Sequence, residues 1–333
     1  MKLPIIRPAR PDDLEDLFEF ATESGYGITS LPRHKQTLEK KLHASALAFQ
    51  EKLLIPKHET YQFCLEWEGC LIGTSAIISR IGLVEPFFAY HILHERQTCT
   101  YLHIDRELPV LHFTRAQKKP TEIGSLFLTK SFRQKHFGKL LSISRFLFIA
   151  CFKSRFASTV IAELRGINHN GHSPFWEAVG RPFFQIDFSK ADFLRMEYHS
   201  CIEELFPKYP IYVAILPKEA QSVISVPHPD TIPAQMLLKK QGFKISHYVD
   251  LFDAGPHMYA PTEKIHAVES SHEAIVQTLE PVEGPVAILS NTRLDFRATL
   301  APIKIEDNHA TLPPETAEVL KIVPGDVIRY YFP

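Results

Sequence analysis

The stretch SLFLTKSFRQKHFGKLLSISRFLFIA, Ser125–Ala150, runs from a short apolar segment through a basic turn with one glycine, Gly138, into apolar residues at helical spacing. A strand, a turn and a long buried helix in direct succession demand a core in which that helix packs on a sheet. The spacing predicts a strand over Gly124–Leu128 and a helix over 137–152. A helix N-terminus presents unpaired backbone N–H groups and partial positive charge, and Arg133, Lys135 and Lys139 add cationic side chains. The corner therefore suits a phosphate-bearing ligand, although a solvated basic corner has the same sequence.

The flanking segments extend this pattern. The sequence predicts a strand over 5–7, a helix opened by Pro11 and closed by Gly25, and a second helix over 33–50. Alternation broken at Glu68-Gly69 predicts a hairpin between 61–67 and 71–81, with further strands over 86–97 and 100–108. A strand over 159–164, a short helix closed by Gly180, a helical insertion over about 189–222 and a helix–Gly242-Phe243–strand unit follow. Gly255-Pro256 and Pro261 read as the end of this part. From about Glu263 the tail turns to short β-rich runs with one helix in PPETAEVLK.

A chain of 333 residues with 45% hydrophobic residues has room for about two domains. Lys and Arg total 37 against 38 Asp and Glu, so the net charge of -1 offers no global field for nucleic acid or an anionic membrane. No apolar run approaches the roughly 18 residues of a membrane span, which makes a cytoplasmic location the default expectation. The 5 cysteines form no CxxC pair and the 17 histidines no HExxH motif, so no metal is expected and the cysteines read as reduced.

The Arg133–Gly138 turn resembles the cofactor turn of the GCN5-related N-acetyltransferase superfamily, with Arg133 in first place, His136 for the first glycine and Gly138 for the second. The resemblance implies that Arg133, Lys135, His136, Phe137, Gly138 and Lys139 receive the pyrophosphate of an acyl-CoA. It also implies that the backbone of Leu126, Phe127 and Leu128 lies along the pantetheine arm, in a gap left by a diverging next strand. The Cβ of His136 is expected to bar positive φ and narrow the loop. Trp176 and Leu238 stand where a tyrosine often protonates the departing thiolate, and neither is a useful acid.

In order along the chain, GITSLP (27–32), the 125–150 stretch, VIAELRG (160–166), SPFWEAVGRPFFQIDFSKADFL (173–194), ELFPKYPIY (204–212), VPHPDTIPA (226–234) and YVDLFDAGP (248–256) resemble the arginine N-succinyltransferase family. The implied fold is mixed α/β, a GCN5-related N-acyltransferase fold over 1–260. It has a central, mostly antiparallel sheet, an enlarged C-terminal half and a small β-rich module over 263–333. The implied reaction moves a succinyl group from succinyl-CoA to the α-amine of L-arginine, without a covalent enzyme intermediate. Alternatives are a related acyltransferase for ornithine or another amine, and a non-catalytic acyl-CoA-binding or assembly protein. Such an amine must lose a proton before attack, so a base is needed. Glu163 is the first candidate, with His169 and His172 as alternatives. Arg165 is the candidate anion clamp, and Ser30, His228 and Asp250 are candidates for the acceptor pocket. Each also fits an ordinary role in an ion pair, turn or strand end. The tail resembles a small swapped-hairpin barrel, but its acidic residues and lack of a basic stripe favour packing or oligomer contacts over DNA.

Overall fold

The computed structural model describes residues 2–25, 30–50, 56–116, 118–133, 136–194 and 199–333. Lys135 and positions 27–29 of the expected acceptor loop lie outside the described residues. Strand β1 (Ile5–Pro8) leads through a 3-10 turn to helices α1 (Leu14–Glu23) and α2 (Lys35–Ala48). There follow β2 (Thr60–Trp67), β3 (Cys70–Ile78), the long hairpin β4 (Phe88–Cys99) and β5 (Ile104–Arg115), then β6 (Thr121–Leu128), α3 (Phe137–Cys151) and β7 (Thr159–Glu163). Short helices α4 (Pro174–Val179), α5 (Arg181–Phe184), α6 (Phe188–Leu194) and α7 (His199–Leu205), strand β8 (Ile211–Tyr212) and α8 (Lys218–Val223) form the enlarged half. Then come α9 (Ile232–Lys240), β9 (Lys244–Val249), β10 (Pro256–Pro261) and α10 (His266–Glu269). The tail holds β11 (His272–Leu279), β12 (Val286–Asn291), β13 (Ala298–Pro302), β14 (Lys304–Glu306), β15 (His309–Leu312), α11 (Pro314–Leu320) and β16 (Val327–Tyr331).

These strands make one mixed, mostly antiparallel 16-stranded sheet, in the order β14-β15-β11-β16-β12-β13-β1-β2-β3-β6-β7-β10-β9-β4-β5-β8. The end expected at Pro256 and Pro261 is instead a central strand. β10 pairs with β7 on one side and β9 on the other, and its two prolines sit at the strand ends, where a missing N–H interrupts the ladder least.

Period-2 alternation assigns the two faces of the sheet. Tyr61, Ile77, Ile123, Val160, Ala162, Met258 and Ala260 all join the core that surrounds α3. Helix α3 is buried on nearly every side, which accounts for its all-round apolar sequence. The intervening residues Thr60, Ile78, Glu122 and Glu163 face the other way, into a cavity beside α2. Helix α2 turns Leu38 and Leu42 toward α1, in a core shared with Leu17, Phe20 and Phe127.

Phe127 and Ile123 have the same parity yet lie in cores on opposite faces. The cause is a β-bulge: Ala76 pairs with Gly124 and Thr74 with Phe127, so β6 spends three residues where β3 spends two. Ser125 takes the extra step in the left-handed region, with φ 50.

In the enlarged half, Trp176 is fully buried, stacks on Phe252 with ring centroids 5.2 Å apart and donates its indole N–H to the Ile186 carbonyl at 2.9 Å. A Cβ on Gly180 would lie 2.2 Å from this ring. Gly180→Ala is therefore expected to lower unfolding stability by about 1–3 kcal/mol through overpacking, measured as a lower urea midpoint with unchanged slope.

Candidate active site

β6 and β7 run parallel for only two paired positions, Thr121 with Val160 and Glu122 with Ile161. Beyond Glu122 they part, β6 staying with β3 and β7 with β10. Thr121 pins the closed end of this fork, donating its hydroxyl to the Ser79 carbonyl and accepting the Ala157 N–H, both at 2.8 Å. The bulge sits just past the opening. Ser30 Oγ accepts the Ser125 N–H at 2.7 Å, and Ser125 Oγ donates to the Ser30 carbonyl at 2.9 Å. Gly124 leaves room for this clasp, because a Cβ there would lie 2.7 Å from Ser30 Oγ. From below, the buried Arg145 of α3 reaches the Gly124 carbonyl at 3.5 Å, and burial pulls its pKa down to about 9.

The open side of β6 leads to the N-terminus of α3. Thr129 donates its N–H to Ile72, so by ladder alternation Phe127 directs its backbone groups at β3 while Leu128 turns its own away from β3. The Leu128 carbonyl accepts Arg133 Nε at 3.0 Å, which orients that side chain beside the turn. His136 is the N-cap at φ -67, so the turn demands no positive φ there, contrary to the narrowing expected from its Cβ. Among the described residues no side chain caps this end, which suits its first N–H groups to an anion. Phe137 is a core residue packed on Trp67 at 5.1 Å, so it contributes its backbone rather than its ring. Gly138 and Lys139 occupy the first turn.

Where the two strands part lies a cavity of about 420 Å³, whose wall includes Ser30, Thr37, Lys41, Glu85, Glu122, Glu163 and Asp250. Glu122 and Lys41 face each other electrostatically across it. Burial, reinforced by the neighbouring Glu163, raises the Glu122 carboxyl to about 7, against the opposing pull of Lys41, His257 and His58. Burial lowers Lys41 to about 8, with Glu122 opposing, and its ammonium donates to the Ser30 carbonyl. On the adjoining strand Glu163 Oε1 stands 3.2 Å from His257 Nε2, a cross-strand pair set by the register of β7 and β10.

Of the residues singled out in the sequence, Ser30, Glu163 and Asp250 line this cavity. Asp250 Oδ1 also accepts the N–H groups of Phe252 and Asp253, which fixes the turn after β9. His169 and His172 lie elsewhere: they close a two-residue turn through mutual backbone hydrogen bonds, and both are exposed. Arg165 is not an open clamp, because its guanidinium binds the Ser24 carbonyl at 3.2 Å, His228 Nδ1 at 2.8 Å and Asp230 at 3.2 Å. His228 is occupied in the same cluster. Trp176 and Leu238 are core residues. Sequence reading missed Glu122, Lys41 and His257. Glu122 alone left a trace, as a charge inside an otherwise apolar strand. Among the described residues no group of three His, Cys, Asp or Glu is placed to hold a metal ion.

The Glu122 shift has a thermodynamic signature. A carboxyl raised from 4.5 to about 7 on folding favours the folded state at low pH, and that advantage is lost as pH rises through the folded value. Glu122→Gln cannot ionise. It is expected to exceed the parent in stability by up to about 3 kcal/mol above pH 7, with the gain vanishing toward pH 4.5, as read from denaturation midpoints across that range.

Comparison with known proteins places this architecture. The family model described as arginine N-succinyltransferase beta subunit matches residues 4–267, and the model of that subunit's C-terminal domain matches 272–331. The arginine N-succinyltransferase subunit beta of Pseudomonas aeruginosa is 38% identical over 330 residues, covering 98% of this chain and 97% of that protein. An Escherichia coli arginine N-succinyltransferase is 36% identical over 333 residues, covering 98% and 96%. The solved structure of arginine/ornithine succinyltransferase subunit AI from Pseudomonas aeruginosa superposes with a TM-score of 0.91 at 30% identity, covering 100% of this chain and 99% of that one. With family models matched over 4–267 and 272–331 and relatives of one kind aligned over nearly their whole length, the chain belongs to the arginine N-succinyltransferase family.

Proposed function

We propose that the chain transfers the succinyl group of succinyl-CoA to the α-amine of L-arginine, with Glu122 as the general base. The observation that carries this reading is a carboxyl held at about 7 where β6 and β7 part, next to the open backbone of the bulge. A base near neutrality can both take a proton from an ammonium and be regenerated at physiological pH. The pantetheine arm fits the fork along Leu126–Leu128, and the pyrophosphate fits the N-terminus of α3 with Arg133, His136, Gly138 and Lys139 around it. Succinyl-CoA then reaches the cavity with its thioester beside Gly124 and Leu126.

The acceptor fits the cavity in one sense. Its α-carboxylate lies against Lys41, its α-amine against Glu122, and its guanidinium extends toward Glu85 and Asp250. Glu163, held by His257, keeps the Glu122 proton affinity high and is a positioning residue in this scheme. Once Glu122 takes the ammonium proton, the nitrogen lone pair attacks the thioester carbonyl carbon. The Leu126 N–H, on the side of β6 turned away from β3, stabilises the oxyanion; the adduct's nitrogen gives its second proton to water, and collapse then breaks the C–S bond. CoA leaves as a thiolate whose proton comes from water, since Trp176 is spent on Ile186. Ornithine carries the same α-amino acid end and a shorter cationic chain, so it is the second acceptor to test. The similar solved structure is named for both amino acids.

The test is CoA release from succinyl-CoA or acetyl-CoA with L-arginine, L-ornithine, L-lysine or agmatine. Release with succinyl-CoA and arginine is expected, and agmatine, which lacks the carboxylate for Lys41, is expected to be poor. Absence of amine-dependent release from folded protein overturns the proposal. For the parent, kcat/KM should rise with pH through about 7, since the base must be ionised. Glu122→Gln should cut kcat by about 10²–10⁴-fold, and an unchanged kcat removes Glu122 from the role. Lys139→Ala should raise KM for succinyl-CoA by about 3–10-fold with little change in kcat, as expected for uniform phosphate binding.

A further inference from the structure

A second cavity, of about 340 Å³, lies at the other end of α2, between the turn after β1, the last turn of α2 and the segment that enters β13. Arg7, Arg10 and Arg297 all line it, and Asp295 is the single acidic residue among the described lining residues. The three arginines are not equivalent. Arg7 is neutralised by Asp13, at 2.7 and 2.8 Å, and by Glu66 at 3.0 Å. Asp295 is engaged by Lys321 at 3.2 Å. Arg297 is only 9% exposed, its Nε has no hydrogen-bond partner, and among the described residues its guanidinium makes no ion pair. Arg10 stands exposed at the mouth.

A buried guanidinium without a partner is costly, and the electrostatics register that cost. Burial lowers the pKa of Arg297, Asp295 opposes, and the like charges of Arg10 and Arg7 lower it further. A planar anion that accepts two parallel N–H bonds removes the penalty. The remaining wall is apolar, with Ala46 and Phe49, apart from Gln50, and the volume falls within the about 300–1,000 Å³ of small-molecule sites rather than that of a lone inorganic ion. We propose that this cavity is a second ligand site that takes a small organic carboxylate, gripped bidentately by Arg297 and closed over by Arg10. It is separate from the succinyl-transfer cavity but shares α2 with it, since Thr37 and Lys41 of that helix line the one and Ala46 the other.

The test is a thermal-shift titration of the full chain in a zwitterionic buffer, with succinate as probe and chloride at matched ionic strength as control. Succinate is expected to raise Tm with the logarithm of its concentration above Kd, by about 2–4 °C at ten times its Kd, and the rise should vanish in Arg297→Met. Basal CoA release by Arg297→Met should stay within about twofold of the parent, because Arg297 touches no substrate. Arg10→Gln, at an exposed position that does not threaten folding, should weaken the titration about tenfold and keeps the test valid if Arg297→Met fails to fold. A rise that survives in Arg297→Met reports succinate in the catalytic cavity and overturns the proposal. A rise no greater than that from chloride, or one given equally by inorganic phosphate, overturns it as well.

Discussion

The paired hydrogen bonds between Ser30 and Ser125 hold an extra residue in β6, and the face that carries the candidate site is organised around that residue. A non-glycine residue at φ 50 is costly on its own and persists where neighbours over-determine it. Here the Ser30 hydroxyl and carbonyl, the Lys41 ammonium and the missing side chain of Gly124 do so together. The bulge moves Phe127 from the α3 side of the sheet to the α1 side, which anchors the first two helices above the cavity. Just before the bulge, past Glu122, the two strands fork, β6 staying with β3 and β7 with β10.

The charges in the cavity form one balanced set. Two carboxylates on adjacent strands, Glu122 and Glu163, would repel if both were ionised, and burial adds to that penalty. Lys41 from α2 and His257 from β10 offset part of it, and the remainder appears as a carboxyl near 7. Stability given up in this way is characteristic of sites that hold a base in a chosen state. Arg297, by contrast, is a buried cation that Asp295 offsets only in part and that makes no ion pair among the described residues, which sets the second cavity apart.

The C-terminal strands do not hang from the rest by a linker. β13 pairs with β1, and Thr299 donates its hydroxyl to the Pro4 carbonyl at 2.6 Å, so the tail extends the same sheet. Its own core, around Leu289, Leu312, Leu320 and Ile328, is separate from the core around α3. The junction between the two is where Arg297 meets Arg7 and Arg10.

Local pattern by itself determined the order of elements around Ser125–Ala150, the hairpin at Glu68-Gly69, the helix in PPETAEVLK and, through ordered motifs along the chain, the family. These depend on period and turn chemistry within a few residues, which a sequence displays directly. The corner at the start of α3 was legible for the same reason, since strand, basic turn and helix are contiguous. The cavity was not. Lys41 looks like any surface lysine in LEKKL, His257 follows a proline that read as an ending, and Glu122 precedes the motif that drew attention. Only the sheet register brings residues 122, 163 and 257 together, because β10 enters the sheet beside β7, and only the packing of α2 over that face brings Lys41 to them. Tertiary structure likewise withdrew Arg165 and His228 into a mutual cluster and left His169 and His172 in an exposed turn. Which charges are buried together is a property of non-local pairing, and no spacing along the chain encodes it.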